Sequence, residues 1–439
     1  MMSGTLREGD RLHTAEGTEL KILSHLGAGG QGEVYRVRCE DRDQALKWYY
    51  PESATEQQLH IVSDLVRRGF HDDRFLWPQA VVTDRTGGFG YLMDLRPARF
   101  AGLPDLFRRR LNVKPRELLT ACVHLVEAYR ALHAQGVAYR DISYGNVFFD
   151  PATGDVLVCD NDNAVVDGTD VGVLGTMEFM APELIRGEAA PRTQTDLHSL
   201  AVLLFLILMN HHPLEGAREY AIRCFEENAK RRLYGDEPVF VFDPRDESNR
   251  PVAGFHDTVL ATWPVWPADL RDLFVKAFTV GLRSPDARVT ETEWRDTLAR
   301  TRDSVVLCLG CSRQNMHDPA DPGAVCWGCG QALVLPPVLE LTTPSPRVTR
   351  RIVLERDARL HPHHLVGEPD RHRYAEAIGE VAEHPQVPGR FGLRNLTAAP
   401  WTIRRADGSR QDIEPGRSLD LRAEVLLEIG DAQGVLTKG

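Results

Sequence analysis

Six short motifs follow one another in a fixed order between residues 26 and 200, and they constrain the fold more than any other feature. The first runs from Leu26 to Val34 between two alternating segments that predict β-strands. Its glycines, Gly27, Gly29 and Gly32, lack a Cβ and therefore allow the backbone to approach phosphate oxygens closely. For this motif alone a tight hairpin is the alternative, whereas a dinucleotide-binding fold would place a helix after it.

A lysine lies among apolar residues in the next predicted strand. Lys47 follows Ala45 and Leu46, fifteen residues after Gly32. A fixed positive charge at this point can bind the phosphates of a nucleotide. Without further motifs, an ordinary exposed lysine would be the better interpretation.

Polar residues recur after a long amphipathic segment, 115–134, that predicts a helix. They lie in four segments, Tyr139–Asn146, Val156–Asp160, Gly175–Glu183 and Thr195–Leu200. The first has the spacing R-D-x-x-x-x-N, and the second is an apolar strand pattern that ends in an acid. Strand patterns early in the chain and helix patterns later predict a strand-rich first lobe and a helix-rich second lobe.

In this order the motifs resemble the signature of eukaryotic-like (Hanks-type) serine/threonine protein kinases. The resemblance spans residues 10–303 and implies an α+β, bilobal fold, with a β-rich N-lobe over about 10–93 and a helical C-lobe over about 97–303. It implies transfer of phosphate from ATP, with Mg²⁺ or Mn²⁺, to serine or threonine of a protein substrate, autophosphorylation included.

The resemblance also assigns catalytic roles by position. Lys47 would orient the nucleotide phosphates, and Asn146 and Asp160 would coordinate magnesium. Asp141 would accept or orient the proton of the substrate hydroxyl.

Further residues would bind the adenine. Val34 and Ala45 would pack on the base, and Met93 resembles the family's gatekeeper. Asp94 and Leu95 would lie in the hinge, whose backbone bonds the base.

Supporting roles follow in the same way. Glu183 would pair with Arg288, and Asp196 would brace the catalytic loop. Thr176 favours serine/threonine over tyrosine specificity. For the acidic partner of Lys47, Glu56 is preferred over Asp64, although it comes early in the expected helix.

Three positions depart from the family pattern. Tyr139 replaces a histidine, and Ser143 replaces a lysine that contacts the transferred phosphate, which should lower the rate about 10²-fold if nothing compensates. Asp162 replaces a glycine, and we expect it to face solvent rather than to add a second carboxylate near magnesium.

The segment from Asp160 to Glu183 is short and acidic, with Asp162, Asp167 and Asp170. We expect these carboxylates to face Arg140, so that activity needs no activating phosphorylation of a residue such as Thr169.

Four cysteines lie in two C-x-x-C pairs within residues 304–333. Cys308 and Cys311 are separated by fourteen residues from Cys326 and Cys329. Two such knuckles can place four thiolates at the corners of a tetrahedron, which predicts a structural, zinc-ribbon-like site. Four unrelated thiols are the alternative.

The remaining chain predicts a linker and a second domain. Residues 334–350 are rich in proline and threonine and predict an extended linker. Residues 351–439 alternate short apolar runs with turn signals, which predicts a small all-β, sandwich-like domain with a weak resemblance to forkhead-associated domains. Three histidines within it, His361, His363 and His364, are expected to be solvated.

Composition limits the other functions. A formal net charge of −11 argues against general nucleic-acid binding. The ten-residue apolar run Leu200–Met209 is too short to span a bilayer, and no apolar signal segment follows the N-terminus, so we expect a cytoplasmic protein without a membrane partner. Protein substrates or signalling partners would bind through the C-terminal modules.

Two other functions stay open from the sequence. A pseudokinase scaffold would bind nucleotide without transferring phosphate, and Tyr139, Ser143 and Asp162 favour it. Transfer to a small molecule is the other, and the segment Gly175–Glu183 argues against it, since it supports peptide binding in the resembling family.

Overall fold

The computed structural model describes residues 5–169, 175–318 and 323–438 of the 439-residue chain. Six antiparallel strands of the N-lobe close into a barrel in the order β1-β2-β3-β4-β6-β5. Their bounds are β1 Arg11–Thr14, β2 Glu19–Ala28, β3 Gly32–Cys39, β4 Arg42–Tyr49, β5 Ala80–Thr83 and β6 Phe89–Asp94. Alternate residues of β3, such as Tyr35 and Val37, fill the barrel interior, as the period of two along a strand requires.

One long helix, α1 (Glu56–Arg68), packs against the barrel. It begins where the Thr55 side chain accepts a hydrogen bond from the Gln58 N–H, which satisfies one of the free amides of the first turn. Val62 and Leu65 are buried on the face toward the core. Only α1 side chains near this buried face can contact residues inside the N-lobe.

The C-lobe is built from helices. They are α2 Leu103–Phe107, α3 Pro115–His133, α4 Pro182–Arg186, α5 Thr193–Met209, α6 Ala217–Tyr220, α7 Glu227–Arg231, α8 Asp257–Thr262, α9 Ala268–Phe278, α10 Val280–Arg283 and α11 Glu291–Asp303. The short strand β7 (Ala101–Gly102) precedes α2, and four more short strands carry the polar motifs between α3 and α4, namely β8 Val137–Ala138, β9 Val147–Phe149, β10 Val156–Val158 and β11 Val165–Val166. Helix α5 is apolar on almost every side and forms the centre of the lobe.

The cysteine module follows α11 directly. It contains the two-stranded hairpin of β12 (Val305–Leu307) and β13 (Gln314–Met316). The Gln314 side chain accepts a hydrogen bond of 2.9 Å from the N–H of Arg116 at the start of α3. The module therefore packs on the kinase-like C-lobe instead of projecting from it.

Two sheets around a common core form the C-terminal domain, so the all-β prediction agrees with the structure. One sheet has the order β15-β14-β23-β22-β19-β20 and the other β16-β17-β18-β21. The strands are β14 Val338–Pro344, β15 Arg347–Val353, β16 Arg359–Leu360, β17 Gly379–Glu383, β18 Phe391–Asn395, β19 Trp401–Arg404, β20 Arg410–Ile413, β21 Ser418–Asp420, β22 Val425–Ile429 and β23 Ala432–Thr437.

The prediction of a linker over 334–350 is wrong. Strand β14 lies inside the six-stranded sheet, between β15 and the final strand β23. Leu339 and Leu341 are fully buried in the domain core. The domain therefore begins near Val338, and its first hairpin is paired with the last residues of the chain.

The prediction of solvated histidines is also wrong. His361, His363 and His364 are buried where the domain packs against the C-lobe. The His364 Nε2 lies 3.2 Å from the Asp303 carboxylate at the end of α11. These histidines pack at an interface between domains, which the local sequence does not reveal. No helix in the described stretches is both long and apolar enough to span a bilayer.

Candidate active site

The glycine-rich motif forms the turn between β2 and β3. The Gly29 N–H donates a hydrogen bond of 2.8 Å to the Gly32 carbonyl oxygen. A Cβ at position 32 would lie 2.2 Å from the Trp48 carbonyl oxygen, so only glycine fits there. Gly27 is open to solvent space on its Cβ side. The turn thus leaves backbone exposed above the strand that carries Lys47.

Lys47 is buried and lies beside two aspartates. Its Nζ donates to both carboxylate oxygens of Asp162 at 2.9 Å and lies 3.5 Å from Oδ1 of Asp160. Burial opposes both charges, but the ion pair lowers the pKa of Asp162 and raises the pKa of Lys47. The two residues therefore remain charged together inside the N-lobe.

Two tyrosines and a glutamine complete this network. The hydroxyls of Tyr49 and Tyr91 both donate to the Asp162 carboxylate, the second at 3.0 Å. The Gln58 amide nitrogen donates to the Tyr49 hydroxyl at 3.1 Å and lies 3.4 Å from Asp162 Oδ2. Each oxygen of this fully buried carboxylate has partners.

The predicted acidic partner of Lys47 is wrong. Glu56 is exposed at the first turn of α1, and Asp64 pairs at the surface with Arg67. The helix presents Gln58 to the network instead. The expectation that Asp162 faces solvent is also wrong. The carboxylate that binds Lys47 comes from Asp162, in the segment after β10, and not from α1.

Sequence reasoning missed Gln58, Tyr49 and Tyr91. Two departures, read together, were the available signal: no acid lies on the inner face of α1, and Asp162 replaces a glycine. A buried lysine needs a countercharge, so each departure explains the other.

Asp141 and Asn146 meet in the loop between β8 and β9. The Asn146 side chain donates to Asp141 Oδ2 at 2.9 Å, and the Thr176 N–H donates to Oδ1 at 3.1 Å. The Thr176 hydroxyl also lies 3.3 Å from Oδ1. Burial is the main cause that raises the pKa of Asp141, and the Asp160 charge adds to it.

Asp160 follows β10 and has a left-handed backbone, with φ of 53°. Its side chain is 42% exposed and so can reach a ligand in the cleft. The Asn146 amide uses its nitrogen to bond Asp141, which leaves its oxygen for a metal. Carboxylate and amide oxygens are suitable ligands for magnesium, so these two residues fit the predicted metal site.

Two predicted supporting contacts are present. Arg288 forms two hydrogen bonds of 2.8 Å with the Glu183 carboxylate. The Asp196 carboxylate accepts the Tyr139 N–H at 2.5 Å and the Arg140 N–H at 3.0 Å. Asp196 thereby fixes the backbone of the loop that carries Asp141.

The prediction that the acidic segment faces Arg140 is wrong for Asp167, whereas the Asp162 charge acts on Arg140 without an ion pair. The Arg140 Nε donates to the Asn163 carbonyl, and its two terminal nitrogens are buried with no hydrogen-bond partner among the described residues. Asp162 binds Lys47, and Asp167 accepts the Thr193 N–H. Asp170 lies outside the described residues.

The four cysteines of the module converge. Their Sγ atoms all lie within 4.8 Å of one another, and the closest pairs, Cys308 with Cys329 and Cys311 with Cys326, are 3.5 Å apart. Four thiolates bound to zinc at about 2.3 Å give similar sulfur separations. The N–H of Gly328 donates to Cys326 Sγ at 3.3 Å, as in a metal knuckle. This donor set fits zinc.

A glycine-rich turn over a buried lysine, together with a lower lobe that holds Asp141 beside Asn146, defines a bilobal phosphotransferase domain. The sequence profile of the protein kinase domain matches residues 20–260, more than half of the chain. The chain therefore belongs to the protein kinase family.

Curated relatives carry protein kinase names, and two of the three that follow are named serine/threonine-protein kinases. CBL-interacting protein kinase 4 of rice is 35% identical over 153 residues, 34% of this chain and 32% of that protein. The kinase PkaB of Streptomyces coelicolor is 25% identical over 45% of this chain and 50% of its own length. The DNA damage-responsive kinase RqkA of Deinococcus radiodurans is 28% identical over 52% of this chain and 33% of its own length. The matched part of the chain covers about a third to a half of the length of these relatives.

Proposed function

We propose that the protein is an ATP- and magnesium-dependent kinase that phosphorylates serine or threonine of a protein substrate, itself included. The observation that supports this most strongly is the position of Asp141. Its carboxylate is held by Asn146 and Thr176 in the cleft between the lobes, and Asp196 fixes the backbone N–H groups of the two residues before it. A carboxylate fixed in this way can accept a proton from a substrate hydroxyl without reorienting.

In this proposal the residues of the cleft have separate tasks. Lys47 binds the nucleotide phosphates, and Asp162 keeps it charged and correctly placed. Asp160 and Asn146 hold magnesium, which neutralises charge on the transferred phosphoryl group. Asp141 orients the hydroxyl and takes its proton, and burial makes it a stronger base by raising its pKa.

Ser143 limits the proposed rate. It is buried and offers a hydroxyl where serine/threonine kinases usually have a lysine. Loss of one charge that stabilises the transition state lowers the rate about 10²-fold. The same observation favours the alternative, a nucleotide-binding scaffold that transfers no phosphate.

The C-terminal units would serve partner binding in this proposal. Zinc bound to the four cysteines would have a structural task, because no coordination position stays open. The β-domain would offer a docking surface for a protein substrate or signalling partner. Its likeness to forkhead-associated domains and a cytoplasmic location stay predictions.

The acceptor can be identified by incubating the protein with magnesium and ATP and mapping phosphorylated residues by mass spectrometry. Phosphoserine or phosphothreonine, absent from the Asp141→Asn variant, is expected. Phosphotyrosine alone would contradict the proposed specificity. Tight ATP binding without any phosphorylated product would support the scaffold.

A further inference from the structure

A cavity of about 970 Å³ opens where the C-lobe, the cysteine module and the β-domain meet. We call it the junction cavity. It is lined by the start of α3, the end of α11, the knuckles of the cysteine module and the loop between β15 and β16. No residue of the candidate active site lines it. Its size is in the range of small-molecule sites.

Cationic side chains dominate the lining. Six of them, Lys114, Arg116, Arg302, Arg313, Arg356 and Arg359, face four acids, Glu117, Asp155, Asp303 and Asp357. Six positive and four negative charges leave an excess of two, in a chain whose formal net charge is −11. His361 adds no charge near neutral pH, because burial lowers its pKa to about 3.

Most of these cations have no anionic partner. Of the six, Arg302 alone has a carboxylate oxygen within 4.0 Å among the described residues, that of Asp303 at 3.8 Å. Two of the acids are also engaged elsewhere, since Asp303 lies 3.2 Å from His364 and Asp155 lies 3.6 Å from His124. Of the other five cations, Arg116 is half-buried, and Lys114, Arg313, Arg356 and Arg359 are exposed.

Arg116 is the central case. It lies in the first turn of α3, where its backbone N–H donates to the Gln314 side chain, and its guanidinium forms no ion pair with a carboxylate of the described residues. Burial and the neighbouring Arg302 guanidinium lower the pKa of Arg116, and the charges of Glu117, Asp303 and Glu355 offset this only in part. A cation that is partly desolvated next to a second cation is stabilised by a bound anion.

Two of the lining arginines stack on aromatic rings. Arg302 donates to the Thr120 hydroxyl at 2.8 Å and stacks on Tyr374, with 3.7 Å from its guanidinium carbon to the ring centre. Arg313 stacks in the same manner on Trp327 at 4.8 Å. Guanidinium groups held in place by aromatic rings lose little conformational entropy when they bind an anion.

We propose that the junction cavity binds a small phosphorylated ligand, at most of nucleotide size. Planar guanidinium groups match phosphate oxygens in pairs, which single ammonium groups do not. The site lies within a cavity between three units, which favours a small molecule over a phosphorylated protein segment. A ligand here would contact the C-lobe, the cysteine module and the β-domain at once.

Isothermal titration with inorganic pyrophosphate tests this proposal. The full chain is first saturated with magnesium and a non-hydrolysable ATP analogue, so that the active site is occupied. Wild type is expected to bind pyrophosphate with a Kd below about 1 mM, and Arg116→Gln to weaken binding about tenfold or more. Arg359→Gln is a second variant at an exposed position, in case Arg116→Gln fails to fold.

The matched control is Arg405→Gln, an exposed arginine in the turn after β19. It should bind pyrophosphate like wild type. No binding to wild type, or equal binding by all variants, would overturn the proposal. Binding of a phosphothreonine peptide without binding of pyrophosphate would also overturn it and assign the site to a protein partner. None of these readings depends on kinase activity.

Discussion

Asp162 is the residue whose position departs most from expectation. It is fully buried, and it bonds Lys47, Tyr49 and Tyr91 at once. Because the acid lies two residues after Asp160, one short segment carries both the partner of Lys47 and the proposed magnesium ligand. Placement of Lys47 therefore does not depend on an acid carried by α1.

This arrangement predicts the outcome of moving the charge. Asp162→Gly should lower kcat/KM about 10²-fold, because it leaves the buried Lys47 without a countercharge. Adding Gln58→Glu should recover at least about tenfold, since the Gln58 amide already lies 3.4 Å from the Asp162 carboxylate. Steady-state kinetics with a peptide substrate would measure both.

The exposed Glu56 provides the matched control for this charge relocation. Glu56→Gln should leave kcat/KM unchanged. The assignment of Asp162 as the partner of Lys47 would be contradicted by either of two results. One is a kcat/KM of the Asp162→Gly, Gln58→Glu double variant no higher than that of Asp162→Gly, and the other is a kcat/KM of Glu56→Gln as low as that of Asp162→Gly.

At this scale the sequence predicted contacts whose spacing is tied to a motif, such as the pair of Glu183 with Arg288 and the bonds of Asp196 to the loop that carries Asp141. It failed for Glu56 and Asp162, because the partner of a buried lysine is chosen by three-dimensional packing. When the partner carboxylate lies on a distant loop instead of on α1, the sequence around Lys47 does not show it.

Among the elements, helix α3 joins the catalytic loop to the rest of the C-lobe. Its His133 lies 3.1 Å from Asp196 and also contacts Glu291 of α11. Burial opposes protonation, but the two carboxylates prevail and raise the pKa of His133 to about 9. The protonated histidine thus supports the acid that braces the loop.

The stability of this link should depend on pH. The folded-state pKa of about 9 exceeds the ordinary 6.5, so the stabilisation is complete below pH 6.5 and is lost as pH rises through 9. The free energy of unfolding of wild type relative to His133→Gln should fall by ~3 kcal/mol between pH 6 and 10. Denaturant titrations would measure it, with the exposed His60→Gln as control. A difference that is constant with pH would contradict this account.

The cysteine module should contain one zinc ion per chain. Removing the ion leaves four clustered thiols and lowers the melting temperature, because the site organises a module with little core of its own. Metal analysis and thermal unfolding would test this, with Cys311→Ser expected to lose zinc. Cys224→Ser, an exposed cysteine outside the cluster, should keep it. Full zinc content in Cys311→Ser would count against the site.

Elements were predicted well where the pattern is long, as in α1, α3 and β2 to β4. The linker prediction failed because the prolines of this segment lie at strand ends and in a turn. Pro336 and Pro337 precede β14, Pro344 ends it, and Pro346 lies in the turn before β15. Proline is tolerated at strand ends and turns, so its frequency did not exclude a hairpin.

On the scale of the whole molecule, the β-domain is anchored to the C-lobe by a buried carboxylate. Glu127 of α3 accepts hydrogen bonds from the His372 N–H at 3.0 Å and its Nδ1 at 2.6 Å, and lies 3.5 Å from Arg74. The Glu127 side chain is 1% exposed. The sequence could not predict this contact, because it joins residues 245 positions apart.

Glu127→Ala should destabilise the protein by about 3 kcal/mol, because Arg74 and His372 would lose a buried partner. The matched control is Arg371→Ala, which removes an ion pair of 2.7 Å with Asp73 at the same interface. That pair is largely exposed and should contribute less than about 1 kcal/mol. Equal losses in the two variants, measured by denaturant unfolding, would show that the buried contact is not the anchor.

The central claim is that the cleft transfers phosphate. Transfer of label from γ-labelled ATP with magnesium should be measured for wild type, Asp141→Asn and Lys47→Ala under single-turnover conditions. We predict transfer by wild type that falls at least about 10³-fold in both variants, while both remain folded. Transfer that persists unchanged in Asp141→Asn, or no transfer by a wild type that binds ATP, would contradict the account.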